Sequence, residues 1–228
     1  MAKHIVIVGF GPGISNAVAH RFGAAGFSVS VVARNLERLT AGVQELQAKG
    51  LKAAAFPADA GDPDAIRGAI SQARATQGPI TAIHWNAFNN ATGDITAADT
   101  AAVRSVFDVA ITGLVTAVQA ALPDLKAAGD GAILVTNGAY GETGPQMDDL
   151  GVRFKVMGLA VANAAKHKLV GLLSARLKGE GVFVGEVMVA GAVKGTGWDN
   201  QATIEATTVA DKFWELYEAR GEVRARVS

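Results

Sequence analysis

The chain of 228 residues has no cysteine, only two tyrosines and no excess of either charge. The absence of cysteine excludes disulfide bonds and thiolate chemistry. The 21 basic and 21 acidic residues cancel, and the sequence has no basic stripe with interleaved aromatic residues. Nucleic acids and anionic membranes are therefore not expected partners. No spacing of His, Asp or Glu indicates a metal site.

Long apolar runs and targeting signals are also lacking. No apolar run approaches the roughly 20 residues of a membrane-spanning helix. The N-terminus enters a predicted strand almost at once, without the charged-then-apolar pattern of a signal peptide. Half of the residues are hydrophobic and 18% are charged, which is typical of a well-packed domain. We therefore expect a soluble cytoplasmic protein in which residues 1–228 form a single domain.

The strongest positive signal is a glycine-rich turn near the N-terminus. The apolar run 5–8 predicts a buried strand, which breaks into Gly9, Gly11 and Gly13 before helical spacing begins at Ile14. Such a turn presents backbone N–H groups and the positive end of a helix dipole to a phosphate. We expect Gly9 to allow a tight turn and Gly13 to let a pyrophosphate approach without meeting a side chain. The alternative is an ordinary Gly-Pro turn without a ligand.

The rest of the chain alternates strands and helices. Alternation of this kind predicts right-handed crossovers and a parallel sheet covered by helices on both faces. The fold class is therefore a Rossmann-like, doubly wound α/β domain in three layers, with its ligand at the carboxyl ends of the strands. Strands are predicted at 5–8, 28–33, 51–56, 80–85, 131–136, 182–189 and 222–227. Helices are predicted from Ile14, from Asn35 to near Gly50, from Asp62, and at 98–128, 160–178 and 209–220.

Five motifs in register resemble the short-chain dehydrogenase/reductase family over nearly the whole chain. The resemblance implies a nucleotide-binding oxidoreductase of Rossmann fold. It departs from the family pattern at Ser15, where a third glycine is usual, and at Trp85 and Phe88. The motifs are Gly9-x-x-x-Gly13-Ile14, Asp59-Ala60 after the third strand, Asn86-Ala87 after the fourth, Leu122-Pro123 at the usual end of the central helix, and Ala190-Gly191 after the sixth strand. The cofactor-binding residues that it implies include Gly9, Gly11, Gly13, Ile14, Asp59, Ala60, Asn86 and Ala87, with Asp59 near the adenine.

The end of the second strand indicates which dinucleotide is bound. A site that prefers NAD usually has a carboxylate there, which accepts hydrogen bonds from the ribose hydroxyls. This chain has Arg34 and Asn35 instead, and a guanidinium can pair with a 2′-phosphate. The sequence therefore predicts NADP rather than NAD as the cofactor. A solvated arginine at a strand end is the alternative.

The catalytic residues of the family are largely missing. Family members use a Tyr-x-x-x-Lys pair, a serine after the fifth strand and an asparagine in the central helix, and of these only Lys166 remains. The resemblance implies that Lys166 binds the nicotinamide ribose and assists catalysis. The positions of the tyrosine, serine and asparagine hold Ala162, Gly138 and Ala110. An ungapped alignment would instead place Asn163 at the lysine and Leu159 at the tyrosine.

Few side chains remain that could replace the missing proton donor. Tyr140, just past the fifth strand, could supply an acid, although an aromatic ring on a loop more often packs. Asn137 could orient a substrate carbonyl in place of the serine. His84 is expected to be a core histidine, and His167 is expected to face away from Lys166. The predicted loop 141–154 is longer than the family norm and could bring in another acid.

Three functions are compatible with these residues. The first is an NADP-dependent oxidoreductase that acts on a small carbonyl or alcohol with altered or impaired catalysis. The second is a non-catalytic NADP-binding sensor or a partner subunit of an active homologue, and the third is non-redox chemistry on a bound small molecule. The resemblance also implies a homodimer or homotetramer formed through the helices at 98–128 and 160–178, both of which are rich in Ala and Gly.

Overall fold

The computed structural model describes residues 2–196 and 202–228. Its centre is one sheet of seven parallel strands in the order β3-β2-β1-β4-β5-β6-β7. The predicted doubly wound α/β fold and all seven predicted strands are confirmed, with shifts of a few residues at their ends. The strands are β1 (His4–Val8), β2 (Ser28–Ala33), β3 (Ala53–Pro57), β4 (Ala82–Trp85), β5 (Ala132–Gly138), β6 (Phe183–Val189) and β7 (Arg224–Val227).

Helices cover both faces of this sheet because alternate strand residues point to opposite faces. On β1, Ile5 and Ile7 face one core and Val6 and Val8 face the other, and all four are buried. The first core packs against α1, α2 and α8, and the second against α3, α5 and α7. The helices are α1 (Ile14–Ala24), α2 (Leu36–Ala48), α3 (Pro63–Gln77), α4 (Thr100–Phe107), α5 (Leu114–Ala127), α6 (Pro145–Arg153), α7 (Met157–Leu177) and α8 (Ala206–Ala219).

The predicted helix at 98–128 is two helices rather than one. A π-helical stretch, Asp108–Gly113, separates α4 from α5. A Cβ at Gly113 would overlap the carbonyl oxygen of Ala60 and lie 2.9 Å from the ring of Trp85, so only glycine lets this stretch pack so closely on the sheet. Pro123 does not end the central helix, as the family pattern implied, because α5 continues to Ala127.

The prediction that no run approaches the length of a membrane-spanning helix is wrong for the segment from α4 to α5. Residues 100–127 meet that criterion by length and composition, with a mean hydropathy of 1.6 over the most apolar window. However, Leu114 and Leu125 in this segment are fully buried against the sheet. The apolar residues of this segment therefore belong to the core of the protein.

The region 141–154 is not the open loop that we expected. It begins with the last residue of a short 3-10 turn, Ala139–Gly141, and continues as α6, which starts at Pro145 in the favourable first helical position. The helix that follows, α7, begins three residues earlier than predicted, at Met157. These two helices form one wall above the carboxyl end of β5.

Candidate active site

The carboxyl ends of β1 and β4 bring Gly9 against the peptide that joins Asn86 to Ala87. Gly9 has a φ of 87°, and a Cβ there would overlap the backbone nitrogen of Ala87 and lie 2.6 Å from its Cα atom. The side-chain amide of Asn86 donates a hydrogen bond to the carbonyl of Gly9, at 3.2 Å. Gly9 therefore makes the tight turn that we predicted, and the immediate reason is this close approach of two backbones.

The N–H groups at the start of the glycine-rich turn are already used inside the protein. Gly9 and Phe10 both donate to the carbonyl of Val32, at 2.9 and 3.0 Å. Gly11 donates to the hydroxyl of Ser15, which donates back to the carbonyl of Gly11. Ser15, which replaces the third glycine of the family motif, is fully buried and closes the turn from within.

The start of α1 is the part of this turn that can bind an anion. The first amides of a helix have no acceptor within it, and no side chain caps α1 at Gly13. The N–H groups of Ile14, Ser15 and Asn16 therefore lie at the positive end of an eleven-residue helix dipole. This is the arrangement that favours a phosphate group.

Gly13 itself has a different neighbour from the one we expected. A Cβ at Gly13 would lie 2.8 Å from the side-chain methyl of Thr196, in the segment that follows β6. The hydroxyl of Thr196 donates to the carbonyl of Val193, at 2.6 Å. Thr196 thus borders Gly13 at the place where a side chain would begin, and glycine is required here also by a φ of 88°.

The ends of β2 and β3 present polar groups at the same edge of the sheet. Arg34 follows β2, is exposed, and has no anionic partner among residues 2–196 and 202–228. Asn35 accepts a hydrogen bond from the N–H of Arg38 at 2.9 Å and is thus the N-cap of α2, the helix that was predicted to start there. Asp59 follows β3, is exposed, and accepts a hydrogen bond from the N–H of Gly61, at 2.9 Å.

The positions that the family resemblance assigns to the missing catalytic side chains are buried and closely packed. Ala110, from the π-helical stretch, and Ala162, from α7, form a small buried cluster with Val106. The exposed fraction of each of these residues is 3% or less. A Cβ at Gly138 would lie 2.8 Å from the amide nitrogen of Asn163. The three positions thus lie around the same part of α7, and none has a side chain that can donate a proton.

Lys166 lies one turn beyond Ala162 on α7 and is 3% exposed. Its ammonium group has no hydrogen-bond partner among the residues that the structure describes. Burial lowers the pKa of Lys166 to about 8 from its usual 10.5, and the nearby carboxylate of Glu186 partly opposes this shift. A buried lysine without a direct partner is well suited to donate hydrogen bonds to a bound hydroxyl group.

Tyr140 and Asn137, the other two predicted catalytic residues, lie in different environments. The ring of Tyr140 packs at a tilt against Phe154, with the ring centroids 6.4 Å apart. Asn137 is 2% exposed, and its side-chain amide donates both to the carbonyl of Asn163, at 3.0 Å, and to Glu186, at 2.6 Å. Because both of its donors are used inside the protein, Asn137 has none left for a substrate carbonyl.

His84 and His167, the two histidines considered as candidates in the sequence, have different surroundings. His84 is fully buried and lies 2.9 Å from the hydroxyl of Thr136. Burial lowers its pKa to about 3, so it is the neutral core histidine that we expected. His167 faces Glu186, with its Nδ1 atom 2.7 Å from Oε2, although not in line for a hydrogen bond.

Sequence reasoning missed Glu186. This carboxylate is fully buried in the middle of β6 and contacts three other side chains. The available signal was a single charged residue inside an apolar strand, since buried charges are rare unless they are paired. Its partners come from β5, α7 and β7, so no local pattern could identify them.

Comparison with known proteins shows which family the chain resembles in sequence. A sequence model of the family described as short chain dehydrogenase matches residues 3–148. A cyclohexanol dehydrogenase of Acinetobacter sp. (strain SE19) is 33% identical over 178 residues, which are 76% of this chain and 65% of that protein. A 3-dehydrosphinganine reductase of Arabidopsis thaliana is 34% identical over 126 residues, 55% of this chain and 37% of that protein. The chain thus spans less than two thirds of the length of these relatives.

Solved structures show the same fold over the full chain. L-sorbose reductase from Gluconobacter frateurii, complexed with NADPH and L-sorbose, has a TM-score of 0.88 at 18% identity and covers 100% of this chain and 95% of that one. A short chain dehydrogenase from Burkholderia cenocepacia J2315, in complex with NADP, has a TM-score of 0.85 at 23% identity and covers 100% and 97%. These similarities establish the architecture around the site.

Proposed function

Because the chain belongs to the short-chain dehydrogenase family of oxidoreductases, we propose that it binds NADP(H) and has an altered or impaired oxidoreductase activity on a small carbonyl or alcohol. One contrast supports this proposal. The groups suited to a dinucleotide are present at the carboxyl edge of the sheet, whereas the groups suited to proton donation are replaced by Ala110, Ala162 and Gly138.

The described residues fit a dinucleotide along its length. The uncapped first turn of α1 would hold the pyrophosphate, and Arg34, exposed and unpaired, would hold the 2′-phosphate. Asp59 and Ala60 would lie near the adenine, and Lys166 would donate hydrogen bonds to the nicotinamide ribose. Two solved relatives of the same fold contain NADPH or NADP. When bound, the cofactor supplies the hydride chemistry.

Reduction of a carbonyl also needs a hydrogen-bond or proton donor at the oxygen, where negative charge develops. General acid catalysis contributes roughly 10²–10⁴-fold, and an oxyanion donor a further ~10²–10³-fold. Ala162 and Gly138 can supply neither, and Lys166 is assigned to the ribose. Tyr140 is the candidate replacement, and reaching a substrate would require its ring to leave the contact with Phe154.

A non-catalytic NADP-binding sensor, or a partner subunit of an active homologue, is the second candidate. The observation that favours it is the packing of Ala110 and Ala162 against Val106. This apolar contact supports the second candidate because it lies at two positions where the family resemblance predicts donor side chains. Such a protein would bind NADPH as tightly as an enzyme and would not turn it over.

Two measurements on the purified protein test these alternatives. The first is a change in NADPH fluorescence on binding, and the second is steady-state oxidation of NADPH with a carbonyl panel that includes cyclohexanone, chosen because of the cyclohexanol dehydrogenase relative. We expect tight binding with slow turnover that is lost in Tyr140→Phe and increased in Ala162→Tyr. No binding of NADPH would refute the proposal, and rapid turnover that survives Tyr140→Phe would show that the donor lies elsewhere. Binding without any turnover would favour the sensor or partner subunit.

The Ala162→Tyr variant needs a stability control because the position is tightly packed. Ala162 is 1% exposed, and adding a large group to a packed site typically destabilises a protein by about 1–3 kcal/mol. Urea unfolding would show whether the variant is folded under the assay conditions. Ala162→Leu is the matched control, since it adds bulk without a hydroxyl group and should not increase turnover.

A further inference from the structure

Glu186 forms a buried polar cluster on the inner side of the candidate active site. Its Oε1 atom accepts a hydrogen bond from the amide of Asn137 at 2.6 Å, and its Oε2 atom lies 3.3 Å from Nε of Arg224 and 2.7 Å from Nδ1 of His167. Lys166 is the further charged group that interacts with it. A carboxylate that is 0% exposed is strongly unfavourable unless such partners offset its desolvation.

Asn137 extends this cluster to two positions that would face a substrate. The side-chain N–H₂ group of Asn137 donates to Glu186. Its side-chain oxygen, Oδ1, accepts a hydrogen bond from the backbone N–H of Gly138, at 3.0 Å. The same amide binds the carbonyl of Asn163 at 3.0 Å, next to Ala162 on α7. Glu186 is thus linked through one side chain to the positions of the family's serine and tyrosine.

Arg224 and His167 link Glu186 to the segment of α7 that contains Lys166. The guanidinium of Arg224 contacts Glu186 and also donates to the carbonyl of His167, at 3.2 Å. Gly171 makes room for this arginine, since a Cβ there would lie 2.9 Å from its Nη2 atom. The residues on both sides of Lys166 are therefore tied to β5 and β7 through the same carboxylate.

We propose that Glu186 is a positioning residue for Lys166: through Asn137 and Arg224, its buried carboxylate fixes the turn of α7 from which the lysine reaches the cofactor ribose, and it supplies an opposite charge for the lysine ammonium group. This inference rests on the proposed cofactor role of Lys166. Among the residues that the structure describes, Glu186 is the only acidic side chain that acts on this ammonium group. The same cluster would also explain why Asn137 faces inward and not toward a substrate.

The charged and titratable groups around Glu186 define a specific test. They are Lys166 and His167 on α7 and Arg224 on β7, and of these only Lys166 is assigned to the cofactor. Glu186→Gln removes the negative charge and keeps an oxygen that can accept the hydrogen bond from Asn137. The control is Glu142→Gln, which removes a half-buried carboxylate that pairs with Arg226, also on β7.

The first measurement needs no cofactor. In the apoprotein labelled with ¹³C at the lysine Cε atoms, NMR titration gives the midpoint of Lys166, identified by its absence in Lys166→Met. Loss of a nearby opposite charge lowers the pKa of a lysine, and a shift of about one unit lies at the low end of the usual range. We therefore expect the Lys166 midpoint to fall by about one unit or more in Glu186→Gln and to stay unchanged in Glu142→Gln.

The second measurement separates this role from a purely structural one. The NADPH affinity of Glu186→Gln should be weaker than that of wild type by about tenfold for each unit by which the Lys166 midpoint falls, at pH values above both midpoints. The difference should shrink at lower pH, where the lysine is charged in both proteins. A loss of affinity that is equal at all pH values would indicate a structural effect and overturn the proposal.

The outcomes also distinguish this inference from the proposed function. A folded Glu186→Gln with an unchanged Lys166 midpoint would overturn the role of Glu186, even if wild type binds NADPH. If the Lys166 midpoint shifts in Glu186→Gln but the wild-type protein does not bind NADPH, the proposed cofactor is refuted. The proposed contact of Lys166 with the cofactor ribose is then refuted as well. If Glu186→Gln does not fold, Glu186→Asp makes the same test, with a smaller shift expected because the charge is only withdrawn by one methylene.

Discussion

The preference for NADP over NAD should depend on two arginines at the start of α2. Arg34 ends the connection from β2, and Arg38 lies one helical turn later, in the first turn of α2. Both are exposed, and neither has an anionic partner in the parts of the chain that the structure describes. Asn35, between them, already uses its carbonyl oxygen to cap the helix. The two guanidinium groups are therefore the free cations nearest to the expected 2′-phosphate.

The size of the effect follows from the exposure of these side chains. A hydrogen bond to a charged group contributes about 1.5–3 kcal/mol, and exposure to solvent reduces this toward the value of a surface ion pair, about 0.2–1 kcal/mol. An intermediate contribution of about 1.4 kcal/mol corresponds to a tenfold change in affinity. We expect Arg34→Ala to weaken NADPH binding about tenfold, Arg38→Ala to weaken it less, and NADH binding to change in neither.

Isothermal titration of each variant with NADPH and with NADH isolates the phosphate contribution, because the two ligands differ only at the ribose 2′ position. Arg176→Ala is the matched control. It removes an exposed arginine from the last turn of α7, at the opposite edge of the sheet, and changes the net charge by the same amount. High salt should reduce the difference between NADPH and NADH in wild type and have less effect in Arg34→Ala.

A double variant that combines Arg34→Ala with Arg38→Ala completes the test. If its ratio of NADPH to NADH affinity equals that of wild type, this reasoning is refuted. Such a result would mean that another group binds the 2′-phosphate, or that the protein does not distinguish the two ligands. A loss of affinity for both ligands in Arg34→Ala alone would instead place that arginine near a part of the dinucleotide that they share.

Three further outcomes are expected. Gly9→Ala should lower the free energy of unfolding by about 3 kcal/mol in urea titrations, since it combines a positive φ with overlap onto a neighbouring backbone; a loss below 1 kcal/mol would contradict this. The pKa of Lys166 is lowered to about 8 on folding, so the unfolded state binds more protons and stability should rise between pH 8 and 10.5, by at most about 3 kcal/mol. Lys166→Met should lack that rise, and an equal rise in both proteins would show that other groups cause it. The chain should form a dimer or tetramer in light scattering, and Leu172→Glu, at a site 57% exposed on α7, should shift it toward monomer; a wild-type monomer would refute the association.

Most of the fold could be predicted because its signals are local. The apolar run at 5–8 and the β-branched run at 28–33 are each long enough for a strand, and both strands are buried on two faces as a central parallel sheet requires. The helices predicted to start at Asn35 and Asp62 do start there, and both side chains accept N-cap hydrogen bonds. Right-handed crossovers then place helices on both faces of the sheet, as predicted.

The features that were missed depend on contacts between distant segments. The break at Asp108–Gly113 is set by Gly113 packing on Ala60, more than 50 residues earlier, and apolar periodicity alone continues through it. Likewise, the neighbour of Gly13 is Thr196, from the other end of the chain. A glycine motif shows that a side chain is not tolerated, and it does not show whether a ligand or another part of the protein takes the space.

The arrangement around Lys166 argues that the cofactor side of the site has been kept for a function. Burial of a lysine without a direct partner is unfavourable, and a chain that only had to fold would gain stability from an apolar residue at this position. Instead, the lysine is retained opposite a buried carboxylate, which needs Asn137, His167 and Arg224 to be stable itself. By contrast, Ala110 and Ala162, at positions where the family resemblance predicts catalytic side chains, pack against Val106 without burying a charge. This difference is what we would expect if binding of the dinucleotide is still required while fast proton donation is not.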